Sequence, residues 1–191
     1  ADDFIQAVEH RFKTQRSHFS PYDQSHAIAT LNWLKRHRVK PNSPQLKRVE
    51  GWLEAVYHLQ GLENYELAYE GMQVRLGKVV SGIGDEPLDE LLGLWGYASR
   101  RLALYEELLG KVSGHREVRL IDGIAHTHHS LGDYETTLQW CDRYREALAE
   151  QANGESGRLW GLLGITYHAK GDFSLAIDYH QRRLALGQSQ R

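Results

Sequence analysis

The chain has 191 residues, 41% hydrophobic and 25% charged, which supplies enough apolar material for a continuous core and excludes disorder over most of its length. With 23 basic and 25 acidic residues the net charge is −2, so no global field draws the chain to nucleic acid or to an anionic membrane. Cys141 is the only cysteine, which rules out an intrachain disulfide and a thiolate zinc cluster, and no run of about 18 apolar residues could span a bilayer.

The start, Ala1-Asp2-Asp3-Phe4, lacks the basic and then apolar layout of a secretory signal, and the expected localisation is cytoplasmic. It also lacks an initiator Met, and the other end, from Ala185 to Arg191, stops as a helix runs out; both ends are expected to be cuts in a longer chain. In chain order, residues 2–18 and 22–38 read as helices parted by Ser20-Pro21. The second ends in the basic run from Lys35 to Lys40, where positive charge complements the helix dipole. Val39 to Pro44 is a break, because proline removes a donor and biases its predecessor away from helix. Residues 1–48 are therefore expected to form a helical hairpin, either a degenerate repeat or a cap.

Repeats organise the remainder of the chain. Gly132-Asp133-Tyr134-Glu135 and Gly171-Asp172-Phe173-Ser174 align at an offset of 171 − 132 = 39 residues, each between two amphipathic stretches. Glycine tolerates the left-handed conformation that ends a helix, and the next Asp can cap the following one. The aromatic two places after Gly is expected to enter the crevice between the paired helices. A third copy reads Glu63-Asn64-Tyr65-Glu66, and the 134 − 65 = 69 residues between Tyr65 and Tyr134 leave room for one more. Leu88, Leu91, Leu92, Trp95, Leu104 and Leu108 fill that slot, with a weakly marked turn from Gly96 to Ser99; one long bent helix over 85–111 is the competing reading. Gly82-Ile83-Gly84-Asp85 looks like a fragment of a phosphate loop but lacks the Lys-Ser/Thr ending, and reads as an inter-repeat loop.

In the last repeat the residues are Trp160, Leu163, Gly164, Tyr167, Gly171, Phe173 and Ala176. They resemble the tetratricopeptide pattern W-x2-L-G-x2-Y followed by A-x3-F. Earlier copies read Trp52, Ala55, Val56, Leu59, Tyr65 and Ala68, then Ile121, Ile124, Ala125, His128, Gly132 and Tyr134. The 39-residue spacing and the run from Asp178 to Ala185 resemble the long-repeat subgroup that includes kinesin light chains and cell-polarity adaptors. The resemblance implies an all-α, right-handed superhelical solenoid of antiparallel helix pairs, with about four repeats over residues 49–191.

Such stacks line an inner, concave face with the first helix of each pair. Helical spacing then puts Arg119, Asp122, His126 and His129 on that face in the third repeat, and Arg158, Gly161, Ile165 and His168 in the fourth. In the first repeat it puts Leu53 and Tyr57 there. The expected function is a non-catalytic scaffold or adaptor that binds a partner peptide or helix, of acidic character, against Leu53, Tyr57, Arg119, Asp122, His126, His129, Arg158, Ile165 and His168. Arginine suits this role because its planar fork pairs with carboxylates. The alternative is a regulatory sensor arm of a larger multidomain signalling or transcription protein. Self-association through the last repeat is a further option. No nucleophile, base and oxyanion constellation is present, so no catalytic residue and no cofactor is expected. Asp122, His126, His129 and Asp133 have ligand-like spacing, yet a polar helix face explains them as well, and no metal is expected. Cys141 reads as a packed structural residue.

Overall fold

A computed structural model describes residues 1–40, 42–77, 84–150 and 156–189. Pro41, Gly82 and Ile83, on which the proline break and the phosphate-loop fragment partly rest, lie outside the described residues, as do Gln190 and Arg191. Among the described residues the regular structure is helical, and the one extended pairing is an isolated bridge between Arg75 and Pro87. No helix there is long and apolar enough to cross a membrane. The chain divides into two compact units, Ala1–Tyr97 and Ala98–Arg191.

In the first unit α1 spans Asp2–Gln15 and α2 spans Pro21–Arg36. Ser20 and Asp23 close a capping box at the start of α2, and Pro21 occupies its first turn, where its missing N–H costs nothing. Helix α3 (Gln45–Gly61) lies against α2 on one side and α4 (Tyr65–Met72) on the other. The approach of α2 to α3 depends on Gly51, where a Cβ would come within 2.8 Å of His37 Cβ and 2.9 Å of the Trp33 carbonyl oxygen. Helix α5 (Leu88–Leu94) follows α4.

The second unit holds α6 (Ala98–Leu108), α7 (His115–Ser130), α8 (Tyr134–Glu150), α9 (Gly157–Lys170) and α10 (Phe173–Ser189), with each of α7 to α10 packed on the one before it. Its core gathers Val118, Ile121 and Ala125 from α7, Cys141, Tyr144 and Leu148 from α8, and Leu159, Trp160, Leu162 and Leu163 from α9.

Four turns share one backbone design. The N–H groups of Asn64, Tyr97, Asp133 and Asp172 each reach back five residues, to the carbonyls of Leu59, Leu92, His128 and Tyr167. The N–H groups of Glu63, Gly96, Gly132 and Gly171 reach back three, to Gln60, Gly93, His129 and His168. This is the Schellman arrangement, and it requires a left-handed residue at the turn. The φ values are 53° at Glu63, 82° at Gly96, 79° at Gly132 and 84° at Gly171. The intervals are 33, 36 and 39 residues (96 − 63, 132 − 96, 171 − 132). Residues 85–111 thus hold two helices broken at Gly96; the turn recurs four times along the chain, and tetratricopeptide-like helix pairs pack at α3 with α4, α7 with α8 and α9 with α10.

The expected caps form at two of the four turns. Asp133 Oδ1 accepts from the Thr136 N–H at 3.2 Å, and Asp172 Oδ1 accepts from the Leu175 N–H at 3.1 Å. Asn64 makes no such bond. The last aromatic departs from its expected burial. Phe173 is 60% exposed and makes one ring contact, to His168 at 5.4 Å, a pairing that repeats His129 with Tyr134 at 5.5 Å.

Candidate functional site

Helices α7 and α9, the first helices of the last two pairs, run side by side in the second unit. Two links fix their register: Arg158 to Asp122 and Thr166 to His129. Both links ascend in the same order along each helix, so the two are parallel. They align Arg119, Asp122, His126 and His129 on α7 with Arg158, Ile165 and His168 on α9.

Asp122 anchors this face. Its side chain is only 4% exposed, and its Oδ2 accepts from Arg158 Nε at 2.8 Å and Nη2 at 2.7 Å. The guanidinium lies over the carboxylate and closes it off from solvent. Asp122 Oδ1 has no hydrogen bond; His126 Nε2 stands 3.5 Å away. Burial holds His126 below its ordinary pKa; Asp122 opposes that shift, whereas Arg158, Arg101 and His129 reinforce it. At neutral pH the imidazole is neutral, with Asp122, Arg158, Arg101 and His129 all close enough to act on it.

His129 is fixed by a local feature. The Thr166 hydroxyl donates to the Leu162 carbonyl at 2.7 Å, so its oxygen accepts from His129 Nδ1 at 3.2 Å. That sets the proton on Nδ1 and leaves Nε2 as an acceptor. Thr127 makes the same back-bond to the Gly123 carbonyl at 2.7 Å, and both threonines are buried. Their 39-residue offset is visible in the sequence, but the link from Thr166 to His129 is not, because it depends on how two helices pack. Near the Asp122–Arg158 pair, Tyr144 Oη meets Ser156 Oγ at 3.2 Å. Ile165 is 40% exposed, and His168 is exposed against Phe173.

Two expected surface residues are core residues instead. Leu53 is 7% exposed and Asp122 is 3% exposed. For Leu53 the reason is that α3 lies between α2 and α4, which widens its buried arc beyond a single stripe. Asp122 is covered by Arg158. Tyr57, on α3 in the first unit, is 61% exposed and packs its ring near His58.

Among the described residues no group of three or more His, Cys, Asp or Glu side chains could hold a metal ion. The ligand-spaced residues are engaged elsewhere: Asp122 with Arg158, His129 with Thr166, and Asp133 with the Thr136 N–H and, at 3.4 Å, His128. Cys141 is fully buried and its thiol is pushed up to about 12 by that burial, so it carries no thiolate at neutral pH. In the basic run, Lys35 pairs with Glu9, and Arg38 Nη1 donates to the carbonyls of Lys35 at 2.6 Å and His37 at 3.1 Å.

No family model and no curated protein matches the sequence. Among solved structures, the chain is similar to TPR-like repeats described for a kinesin light chain of Podosopora anserina, at 11% identity and a TM-score of 0.47. The similarity covers 95% of this chain and 97% of that one. The repeat assignment stands on the four recurrent turns of the backbone.

Proposed function

We propose that the chain is a non-catalytic protein-interaction scaffold, and that a partner peptide or helix lies along α7 and α9 in the second unit. The observation that supports this is the parallel alignment of these two helices, which turns a mixed row of charged, polar and apolar side chains outward from a rigid core. Arg119, His126, His129, Arg158, Ile165 and His168 are the contact residues in this reading, with Asp122 positioning Arg158 from beneath. Tyr57 offers a separate aromatic contact in the first unit. Arg158 retains Nη1 for a ligand after Nε and Nη2 bind Asp122. That remaining guanidinium donor favours a carboxylate-bearing, acidic partner.

Affinity capture with the wild-type chain and an Ile165→Asp/His168→Glu variant tests the face. Both substitutions lie at exposed positions outside the core. A protein held by the wild type in a salt-sensitive way and lost by the variant is the expected result. Equal retention by both would remove α7 and α9 as the binding face.

A further inference from the structure

A second cluster lies within the first unit. His26 on α2 and His58 on α3 turn their Nδ1 atoms toward each other at 3.1 Å, with ring centroids 5.1 Å apart and planes at 72°. We propose that this pair is a two-imidazole site for a divalent transition-metal ion of the zinc, copper or nickel class.

The span is the first argument. Imidazole–zinc bonds of about 2.0–2.1 Å on both nitrogens, set against the 3.1 Å separation, give a nitrogen–metal–nitrogen angle of about 98°, between square-planar and tetrahedral values. Without an ion, one Nδ1–H donates to the other Nδ1. When an ion binds, the donor ring shifts its proton to Nε2 by exchange with water, both Nδ1 lone pairs face the ion, and no net proton is lost.

The surroundings are the second argument. Gly61 forms the floor: a Cβ there would lie 2.4 Å from His26 Cε1, so only glycine leaves the ring in place. Tyr22 and Tyr57, each more than 60% exposed, stand on either side, with ring centroids 4.4 Å from His26 and 5.3 Å from His58 respectively. Asp23 and Glu54 sit one helical turn before the two histidines and act on them electrostatically, which supplies negative field for a cation. Both imidazoles are half-buried, so neither is sealed within the core and water can reach the pair. With two protein ligands the remaining coordination positions go to water, the pattern of an open site, not of a closed structural one.

Calorimetric titration of the whole chain with zinc chloride and with nickel chloride tests the site. One ion per chain is expected, with affinity reduced about tenfold or more in His26→Ala and in His58→Ala, since even outer-shell changes reach that size. Gly61→Ala keeps both imidazoles but displaces the His26 ring, and is expected to weaken binding likewise. In the unmodified chain, trace copper(II) should broaden the imidazole NMR signals of His26 and His58 before those of the other nine among 11 histidines (11 − 2). This readout decides the matter even if a variant fails to fold. Absence of binding, unchanged affinity in all three variants, or broadening that begins at other histidines would overturn the assignment.

Discussion

Replacing Gly123 by alanine puts the packing of the second unit to a sharp test. A Cβ at that position would stand 2.6 Å from Tyr105 Cε2, 2.7 Å from its Cζ and 3.0 Å from its Oη. Carbon contacts settle at about 3.5–4.0 Å, so the ring must retreat by roughly 1 Å. It has little room to do so. Tyr105 is 2% exposed, its hydroxyl accepts from Arg101 Nε at 2.9 Å, and the same guanidinium lies 5.3 Å from its ring centroid. Overpacking of this kind costs about 1–3 kcal/mol. Alanine's better helix propensity offsets about 0.8–1.0 kcal/mol of that. A net loss of about 1 kcal/mol results from the two effects together. Gly161→Ala on α9 is the matched control, because the nearest atom there is Arg183 Nη1 at 2.9 Å, the tip of an exposed, flexible side chain that can swing away. That variant should gain up to about 1 kcal/mol. Urea denaturation followed by circular dichroism should therefore move the two midpoints in opposite directions. Midpoints that shift together would refute the Tyr105–Gly123 contact and the α6–α7 packing built on it.

Arg158→Ala strands a carboxylate in a site that is 4% exposed, and should destabilise by about 3 kcal/mol, toward the low end for a broken buried pair because Arg158 itself is more than half exposed. Asp122→Ala strands only a guanidinium that water can reach, so its smaller loss in the same urea assay checks the asymmetry. His126 and His129 are held below the ordinary value of 6.5 chiefly by burial, so the unfolded chain binds more protons in the window beneath that value. Their contribution is complete above 6.5 and is lost as pH falls through the folded-state values; His126→Gln/His129→Gln should flatten the fall in urea midpoint between neutral and mildly acidic pH. At the turns, Glu63→Gly relieves a left-handed residue worth about 1–2 kcal/mol, less about 0.5–1 kcal/mol of chain entropy, and should raise the melting temperature. Gly132→Ala meets no neighbour but should lower the melting temperature through φ alone.

Glycine and aspartate mark the last two turns, and those are plain in the sequence because both residues act through the local backbone. The turn at Gly96 is faint, since Tyr97 stands where the capping Asp recurs elsewhere, and the turn at Glu63 adopts the same backbone shape with no glycine at all. Backbone hydrogen bonds make these four turns equivalent where side chains do not. For the candidate site, helical period finds the α7 and α9 rows but not their depth. Leu53 and Asp122 sit at surface-like positions of the period, and only the neighbours on both sides of α3, or the guanidinium over Asp122, bury them. The pairing of His26 with His58, 32 residues apart, depends on how closely α2 meets α3, which Gly51 and Gly61 permit and no periodicity encodes.

The recurrent turn has a consequence for how a chain of this kind changes length. Joining Gly132 directly to Asp172 would rebuild the same turn and remove one whole 39-residue module, so that α7 led into α10. At the new seam Asp122 would take the place of Gly161, which now lies beside Arg183, and the acid would meet a base. Ala125 would take the place of Gly164, whose missing Cβ now makes room for the His180 ring. One position invites the deletion and the other resists it, so gain or loss of a repeat is governed by residues along the seam and hardly by the joint itself.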